Sequence, residues 1–432
     1  MTIKIFHNDG EGYPTYRRCL ITIGSIVLSV FLLTKCISDQ KDGTINEDEA
    51  SVAPNTKRQQ FAGSAACAGC HKSVYQTHLN TAHYLTSQPA SGKYIKGNFD
   101  SGKNSFVFND RVKLIMEKRN DSFYQVAYVN GAEKQSRRFD IVVGSGTKGQ
   151  SYLNWIKGGL FQLPITYFAA AEQWSNSPGY PDKPVFNRPI TSRCLECHST
   201  YVQKISEPQK EREEFDHNQI IYGVDCEKCH GPAARHVEFQ QKNPKDTTAQ
   251  YIVNPQKLSR QQNLDLCALC HGGRLTKTKP SFSFEVGDKL TDYFVQDTAG
   301  YNAADIDVHG NQYGLLAKSK CFQMSQMTCS SCHNAHEKEK EKIALFSQRC
   351  LNCHSNDHEK VCKINAVVGS SINQNCIDCH MPKQPSRSIA VLLQRSKIPT
   401  AVLMRTHLIK KYPDETKKFI DNMKMKVTMP AR

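Results

Sequence analysis

Seven times in this chain two cysteines stand three positions apart with a histidine directly after the second. The units are Cys67-Cys70-His71, Cys194-Cys197-His198, Cys226-Cys229-His230, Cys267-Cys270-His271, Cys329-Cys332-His333, Cys350-Cys353-His354 and Cys376-Cys379-His380. Two chemistries use thiols at this spacing. Paired units could share a zinc ion. Alternatively, the two thiols add as thioethers across the two vinyl groups of a porphyrin, and the adjacent imidazole ligates its iron. Zinc sharing does not require the histidine, yet it follows every unit. The expectation is therefore haem c, seven groups covalently attached.

The second axial ligand decides what such an iron can do. A second imidazole closes it and suits electron transfer, whereas an open position admits a substrate. The chain has 16 histidines, of which seven are in the motifs, and His7 lies ahead of an export signal. The remaining candidates are His78, His83, His217, His236, His309, His336, His358 and His407. His336 follows its own motif too closely to fold back across the same ring, so it should reach a neighbouring iron. His236 follows the third motif with similar logic. His78 and His83 are expected on one helix after the first motif, with one of the two as ligand. His309 and His407 are isolated and need the tertiary fold to find an iron. His358 is a weaker candidate, and His217, in a charged run, reads as a surface residue.

The elements that must carry these residues divide unevenly. Arg17-Arg18 precede an apolar run from Cys19 to Thr34, the pattern of an export signal. The run is short for a span of about 20 residues. Two readings follow, an uncleaved signal anchor or a lipoprotein signal with Cys36 as the lipid-attachment point. Either places the chain outside the cytoplasm, on the periplasmic or cell-envelope side of a membrane. Residues 37–60 are polar and read as a linker. Between the first and second motifs the texture is β. Phe106/Phe108, Val112/Leu114/Met116 and Tyr124/Val126/Tyr128 alternate, and each set should line one face of a strand. Asn120-Asp121 and Asn130-Gly131 supply turns. Arg138–Val143 reads as a fourth strand ended by Gly144-Ser145-Gly146. This antiparallel meander should serve mainly as scaffold, with partner docking as the other use. The remaining motifs crowd between Cys194 and His380 in an expected helix-and-loop region. Charged runs at Glu207–Asp216 and Glu337–Lys342 read as solvated helical faces, and helices are expected around Val391–Arg395 and Lys417–Met425. The fold class is thus α+β, mostly a helix-and-loop multihaem region with a small antiparallel sheet inserted after the first motif. The division is 1–36 signal or anchor, 37–60 linker, 61–100 first haem segment, 101–170 β segment, 171–400 six-haem region and 401–432 C-terminal helical segment.

Composition agrees. The hydrophobic fraction is 39%, low for a soluble globular chain, which fits an interior filled partly by porphyrin. The formal charge is +15. Each ferric bis-histidine haem would contribute roughly −1 and each ferrous one roughly −2, moving the loaded protein towards neutrality. The basic residues are scattered, so nucleic acid is not indicated as a partner. Cys321 and Cys362 have no assigned role.

With these residues in view, the chain resembles the multihaem superfamily of tetrahaem cytochrome c-554, pentahaem nitrite reductase and octahaem hydroxylamine oxidoreductase. The resemblance is carried by C-E-K-C-H-G-P with His236, C-S-S-C-H-N-A-H, and C-I-D-C-H-M-P followed by His407. It is more similar to a group of exported multihaem proteins with Gly144-Ser145-Gly146, Tyr152-Leu153, Leu163-Pro164 and Ser177-Pro178-Gly179-Tyr180 ahead of the second motif. The likeness covers about Ala62 to Leu408 and implies a packed haem chain with stacked and perpendicular rings. It does not imply a catalyst. The C-x-x-C-K motif of the nitrite reductases is absent, and Cys362-Lys363 lacks a cysteine three positions earlier. Hydroxylamine oxidoreductases have eight haems where this chain has seven motifs. The function expected first is electron relay, with redox proteins or a membrane quinol-oxidising complex as partners. A reductase or oxidase of a small nitrogen or sulfur oxyanion at one five-coordinate haem is the alternative, and a binding protein built on the β segment a distant third.

Overall fold

The computed structural model describes residues 59–206, 212–273, 275–295, 302–354 and 362–428. The export signal, Cys36 and His358 lie outside these residues, as does the linker apart from its last two positions. None of the described helices is long and apolar enough to cross a membrane.

The alternation after the first motif does form an antiparallel meander. Ser105–Asn109, Val112–Arg119, Ser122–Val129 and Ala132–Arg138 pair in sequence order. Its turns are the expected ones. Asn120 and Asn130 take φ of 53° and 50°, and Gly131 takes 80°, the left-handed backbone that a tight hairpin requires. The third strand is covered on both faces at its centre. Leu114 pairs with Ala127 and Met116 with Gln125. Gln125 and Ala127 face the main core with Phe106, Leu114 and Met116, and Val126 on the other face is fully buried too, while Tyr124 and Tyr128 are only partly covered. Gln125 is a polar residue in this core. It is admitted because its amide donates to Ile165 O at 2.7 Å and accepts from Ile165 N at 3.1 Å, so no polar group is buried unpaired. Tyr128 meanwhile donates to Glu117 at 2.8 Å on the outer face.

A larger sheet was not anticipated. Ile141–Val143 is not the fourth strand of the meander. It pairs with Ser87–Pro89 and Gly149–Ile156 in a nine-stranded sheet. Gly149–Ile156 continues to Gly159–Gln162 and Ile165–Phe168, then Gln173–Asn176 follows. Gln173–Asn176 next pairs with Lys383–Leu393, whose partner is Thr400–Arg405. The C-terminal hairpin is thereby stitched to the β region near the start of the chain. The helix expected around Val391–Arg395 is part of this hairpin instead, its β-branched and apolar residues packing Val391 and Val402 against Phe168. Phe215–Tyr222 is likewise a strand, paired with Ser199–Lys204, and Glu337–Lys342 forms turns rather than a helical face. A C-terminal helix is present as Pro413–Thr428. The protein is α+β, but strand-rich rather than mostly helical.

The two textures pack differently. The β region owns the largest apolar clusters, around Trp174, Tyr152, Phe106 and Leu163 and around Leu160, Leu195 and Phe215. The motif-bearing region holds smaller ones, around Leu269 and Phe294 and around Leu264 and Phe322. Substituting Gln125→Leu tests the first core. It should lower stability by about 2–4 kcal/mol, since two buried backbone groups lose their partners at about 1–3 kcal/mol each. A shifted denaturation midpoint at constant slope is the expected reading; a loss under about 0.5 kcal/mol contradicts the account.

Candidate functional site

Each motif is built as one helical turn, so both thiols and the imidazole issue from it together. In the first, fifth and seventh motifs the histidine N–H donates back to the first cysteine, His71 to Cys67 O at 2.8 Å, His333 to Cys329 O at 3.0 Å and His380 to Cys376 O at 3.1 Å. The third is the helix Cys226–His230, capped by Asp225, which accepts from Cys226 N at 2.8 Å. The fourth ends the helix Arg260–His271. Ser259 and Gln262 start that helix with a reciprocal capping box. The sixth ends the helix Ile343–His354.

The orientation of the imidazoles follows from their second nitrogen. His230 Nδ1 lies 2.9 Å from Val253 O, His380 Nδ1 3.0 Å from Lys410 O, and His236 Nδ1 2.7 Å from Gln250 O. A carbonyl oxygen can only accept, so Nδ1 carries the proton and donates. The lone pair is then on Nε2, ready for a metal. His271 Nδ1 stands 3.1 Å from Gln312 Oε1 in the same manner, and His198 Nδ1 lies 3.0 Å from the Thr86 hydroxyl, which can donate or accept.

Three separate pairs of imidazoles approach each other. Ring centres lie 6.2 Å apart for His83 and His271, tilted by 62°, 6.1 Å for His230 and His336 and 6.2 Å for His333 and His407, tilted by 22° and 28°. His336 also lies 6.3 Å from His78, tilted by 63°. A metal about 2 Å from each nitrogen, with each nitrogen about 1 Å from its own ring centre, sets that separation at about 6 Å. The residues therefore fit an iron porphyrin closed on both sides. His336 reaches the third motif rather than its own, as its spacing demanded. Desolvation pushes the half-buried His407 down to about 4, which keeps it neutral and able to ligate.

Thiols also pair across motifs. Cys67 meets Cys226, Cys197 meets Cys270, Cys329 meets Cys267 and Cys376 meets Cys350.

The other expected ligands are placed less decisively. His78 ends the helix Lys72–His78, and His83 lies beyond that helix rather than on it. His78 uses Nε2 on Val224 O at 3.2 Å and leaves a buried Nδ1 without a partner, the reverse of the ligating arrangement. His309 lies near His198 and His271, on a loop that Asp307 fastens to Ser386 and Arg387 at 3.2 and 3.0 Å. His71 and His236 are both neighbours of His230. His354 is exposed. His217 stacks on Trp155 at 3.8 Å, in keeping with its omission from the ligand set. Several positioning residues were not found in the sequence. Glu227 accepts from Ala62, Gly63 and Ala233 N at 2.8, 2.9 and 2.7 Å. Glu196, fully buried, meets Lys277 at 2.7 Å and Phe282 N at 2.7 Å. The one signal was a glutamate directly before the second cysteine or directly after the first in two motifs.

Gly223 fixes His83. Its φ is +68°, and a Cβ there would stand 2.2 Å from Tyr84 O. The neighbouring Val224 N donates to His83 O at 2.9 Å. Gly223→Ala should therefore push His83 away from His271 and strain the backbone, at a cost of about 1–3 kcal/mol. In haem-loaded protein one centre should turn partly high-spin. A low-spin fraction equal to the parent's would show that His83 does not depend on this contact.

Comparisons with known proteins bear on the whole. Residues 172–231 match the family described as cytochrome c554 and c-prime. That stretch contains the second and third motifs. The crystal structure of the outer cell wall cytochrome OcwA shares the fold, with a TM-score of 0.52 at 16% identity over 83% of this chain and 81% of that one. No curated protein sequence matches the chain. The motifs, the family match and the shared fold together support a multihaem c-type cytochrome that carries haem c and transfers electrons.

Proposed function

We propose that the chain is an exported cytochrome whose seven motifs each hold one haem and that it relays electrons through mostly bis-histidine centres. The observation that carries this reading is the set of three imidazole pairs at 6.1–6.2 Å. Haem iron supplies a one-electron ferric/ferrous couple, and an iron closed by two imidazoles has no position for a substrate. The residues of the chain do the rest. Val253 and Lys410 carbonyls hold imidazole protons on Nδ1 and so raise the donor strength of Nε2. We assign His236 to the motif of His71 and His309 to that of His198, from their shared neighbourhoods. The N-terminal run would tether the protein to a membrane, through a lipid on Cys36 or as a signal anchor. Redox proteins or a membrane quinol-oxidising complex would be its partners.

A second reading, reduction or oxidation of a small nitrogen or sulfur oxyanion, would use the motif of His380. Its Nδ1 is held by Lys410 O, and among the described residues no imidazole is seen opposite it. Carbon monoxide or nitrite binding by the parent protein would favour this reading.

Matured protein should exceed its processed polypeptide by the mass of seven haems; five or fewer would end the proposal. His336→Ala should retain all seven groups, because thioether bonding does not use this residue. It should convert one low-spin centre to high-spin and raise its potential, since a strong donor to the ferric state is lost. A mutant that matches the parent in spin state would make His336 a bystander despite its 6.1 Å approach to His230.

A further inference from the structure

The Gly144-Ser145-Gly146 motif takes no part in the haem chemistry, yet it walls a cavity. The cavity holds about 330 Å³ and lies between the helix Lys72–His78 and the strand Ile141–Val143. That volume falls within the range of small-molecule sites, about 300–1,000 Å³. Among the described residues no cysteine, histidine or carboxylate lines it. It therefore offers no group for haem attachment or for a metal ion.

Two buried glutamines fix its walls. Gln150 Oε1 accepts from Lys96 N at 2.8 Å, while its Nε2 donates to Tyr94 O at 2.8 Å and Gly144 O at 3.2 Å. Gln88 Nε2 donates to Tyr84 O at 2.6 Å. The turn that carries Tyr94 and Lys96 is thus locked to the glycine motif. Gly146 makes room for the lysine. Its φ is +80°, and a Cβ there would stand 2.8 Å from Lys96 Cγ.

The lining combines three chemistries. Leu79 and Val142 are apolar, Tyr84 and Tyr94 bring phenols, and Lys93 and Lys96 bring ammonium groups. Lys93 Nζ lies 5.0 Å from the Tyr94 ring centre. The two phenols are neighbours, and burial pushes that of Tyr84 upward, so it stays protonated and can donate. Two cations with no carboxylate in the same wall make the cavity positive. Apolar side chains beside aromatic rings favour a flat hydrocarbon body.

We infer that this cavity binds a small hydroxylated aromatic carboxylate. Lys93 and Lys96 take the carboxylate, Leu79, Val142 and the tyrosine rings take the ring, and the phenols take the hydroxyl. Walls that are already held lose little freedom when such a ligand enters. Tyr84 directly follows His83 in the chain, so the site lies beside the haem-bearing region and is not one of its centres. The inference goes beyond the relay reading and does not depend on it.

Haem-loaded protein titrated with 4-hydroxybenzoate in a calorimeter should show saturable binding at one site. Benzamide has the same shape without the charge. It should bind about tenfold more weakly, since a charge-assisted bond is lost. Acetate has the charge without the ring and should not compete. Lys93→Gln and Lys96→Gln should each weaken binding by about tenfold. Lys93 is exposed, so its replacement leaves the fold intact. Tyr84→Phe combined with Tyr94→Phe should abolish the preference for 4-hydroxybenzoate over benzoate and leave benzoate binding as in the parent. Intact mass and an unchanged low-spin spectrum verify that each variant is folded and loaded. Absence of saturable binding, equal affinity for benzamide, or lysine variants that bind as the parent does would overturn the inference. Competition by acetate at equal concentration would make this a plain anion site and refute the aromatic assignment. Heat is read directly, so failure of the bis-histidine assignments would leave the result standing.

Discussion

The motif region depends on bringing imidazoles from distant segments to within 6.1–6.2 Å of one another. A lone pair must be exposed on each, and the other nitrogen must be occupied, or the ring is free to turn. In the three pairs the partners come from distant parts of the chain, His83 with His271, His230 with His336 and His333 with His407. No local element can enforce such separations. In these pairs His230 and His271 have their second nitrogens held, by Val253 O and Gln312 Oε1, and the segments are held by the sheets and buried carboxylates.

The buried carboxylates show how this is done. Burying a charge is costly unless it is paired. Glu196 is fully buried but meets Lys277, Arg193 and Phe282 N. Glu227 gathers three backbone N–H groups, and burial still pushes its carboxyl upward. Each lies within a motif and fastens it to another segment. Removing either would leave donors unsatisfied in a place where water is scarce, so the motif spacing is fixed by hydrogen bonds rather than by the haem alone. Asp307 acts likewise, joining the His309 loop to the C-terminal hairpin.

The motifs were legible in the sequence because their two cysteines and histidine are local to one helical turn. His336 was legible as well, since three residues leave no path back to its own ring. The meander was legible from its alternation and from Asn130-Gly131. The alternation of Tyr124, Val126 and Tyr128 did not show that the opposite face of that strand is covered as well, because the Ile165 backbone that satisfies Gln125 comes from elsewhere in the chain. The nine-stranded sheet was hidden for a related reason. Its strands are short, and Lys383–Leu393 finds its partner Gln173–Asn176 only through the tertiary fold. Apolar runs such as the one around Val391 cannot be told from helix by periodicity.

The stitching of the two chain ends has a mechanical consequence. The motif-bearing region has small apolar clusters of its own, so side chains alone give it little cohesion. The β region has a continuous core around Trp174 and receives the C-terminal hairpin on the same sheet. Residues 177–382 are therefore a long excursion whose two ends are anchored on one rigid edge. Within such an excursion the segments are free to adjoin in any order the side chains favour. That is why the second motif can meet the fourth, through Cys197 and Leu269 O at 4.0 Å and the ion pair of Glu196 with Lys277 at 2.7 Å. The β segment is then more than a spacer after the first motif. It is the frame that allows a chain of centres to be arranged by contact rather than by sequence.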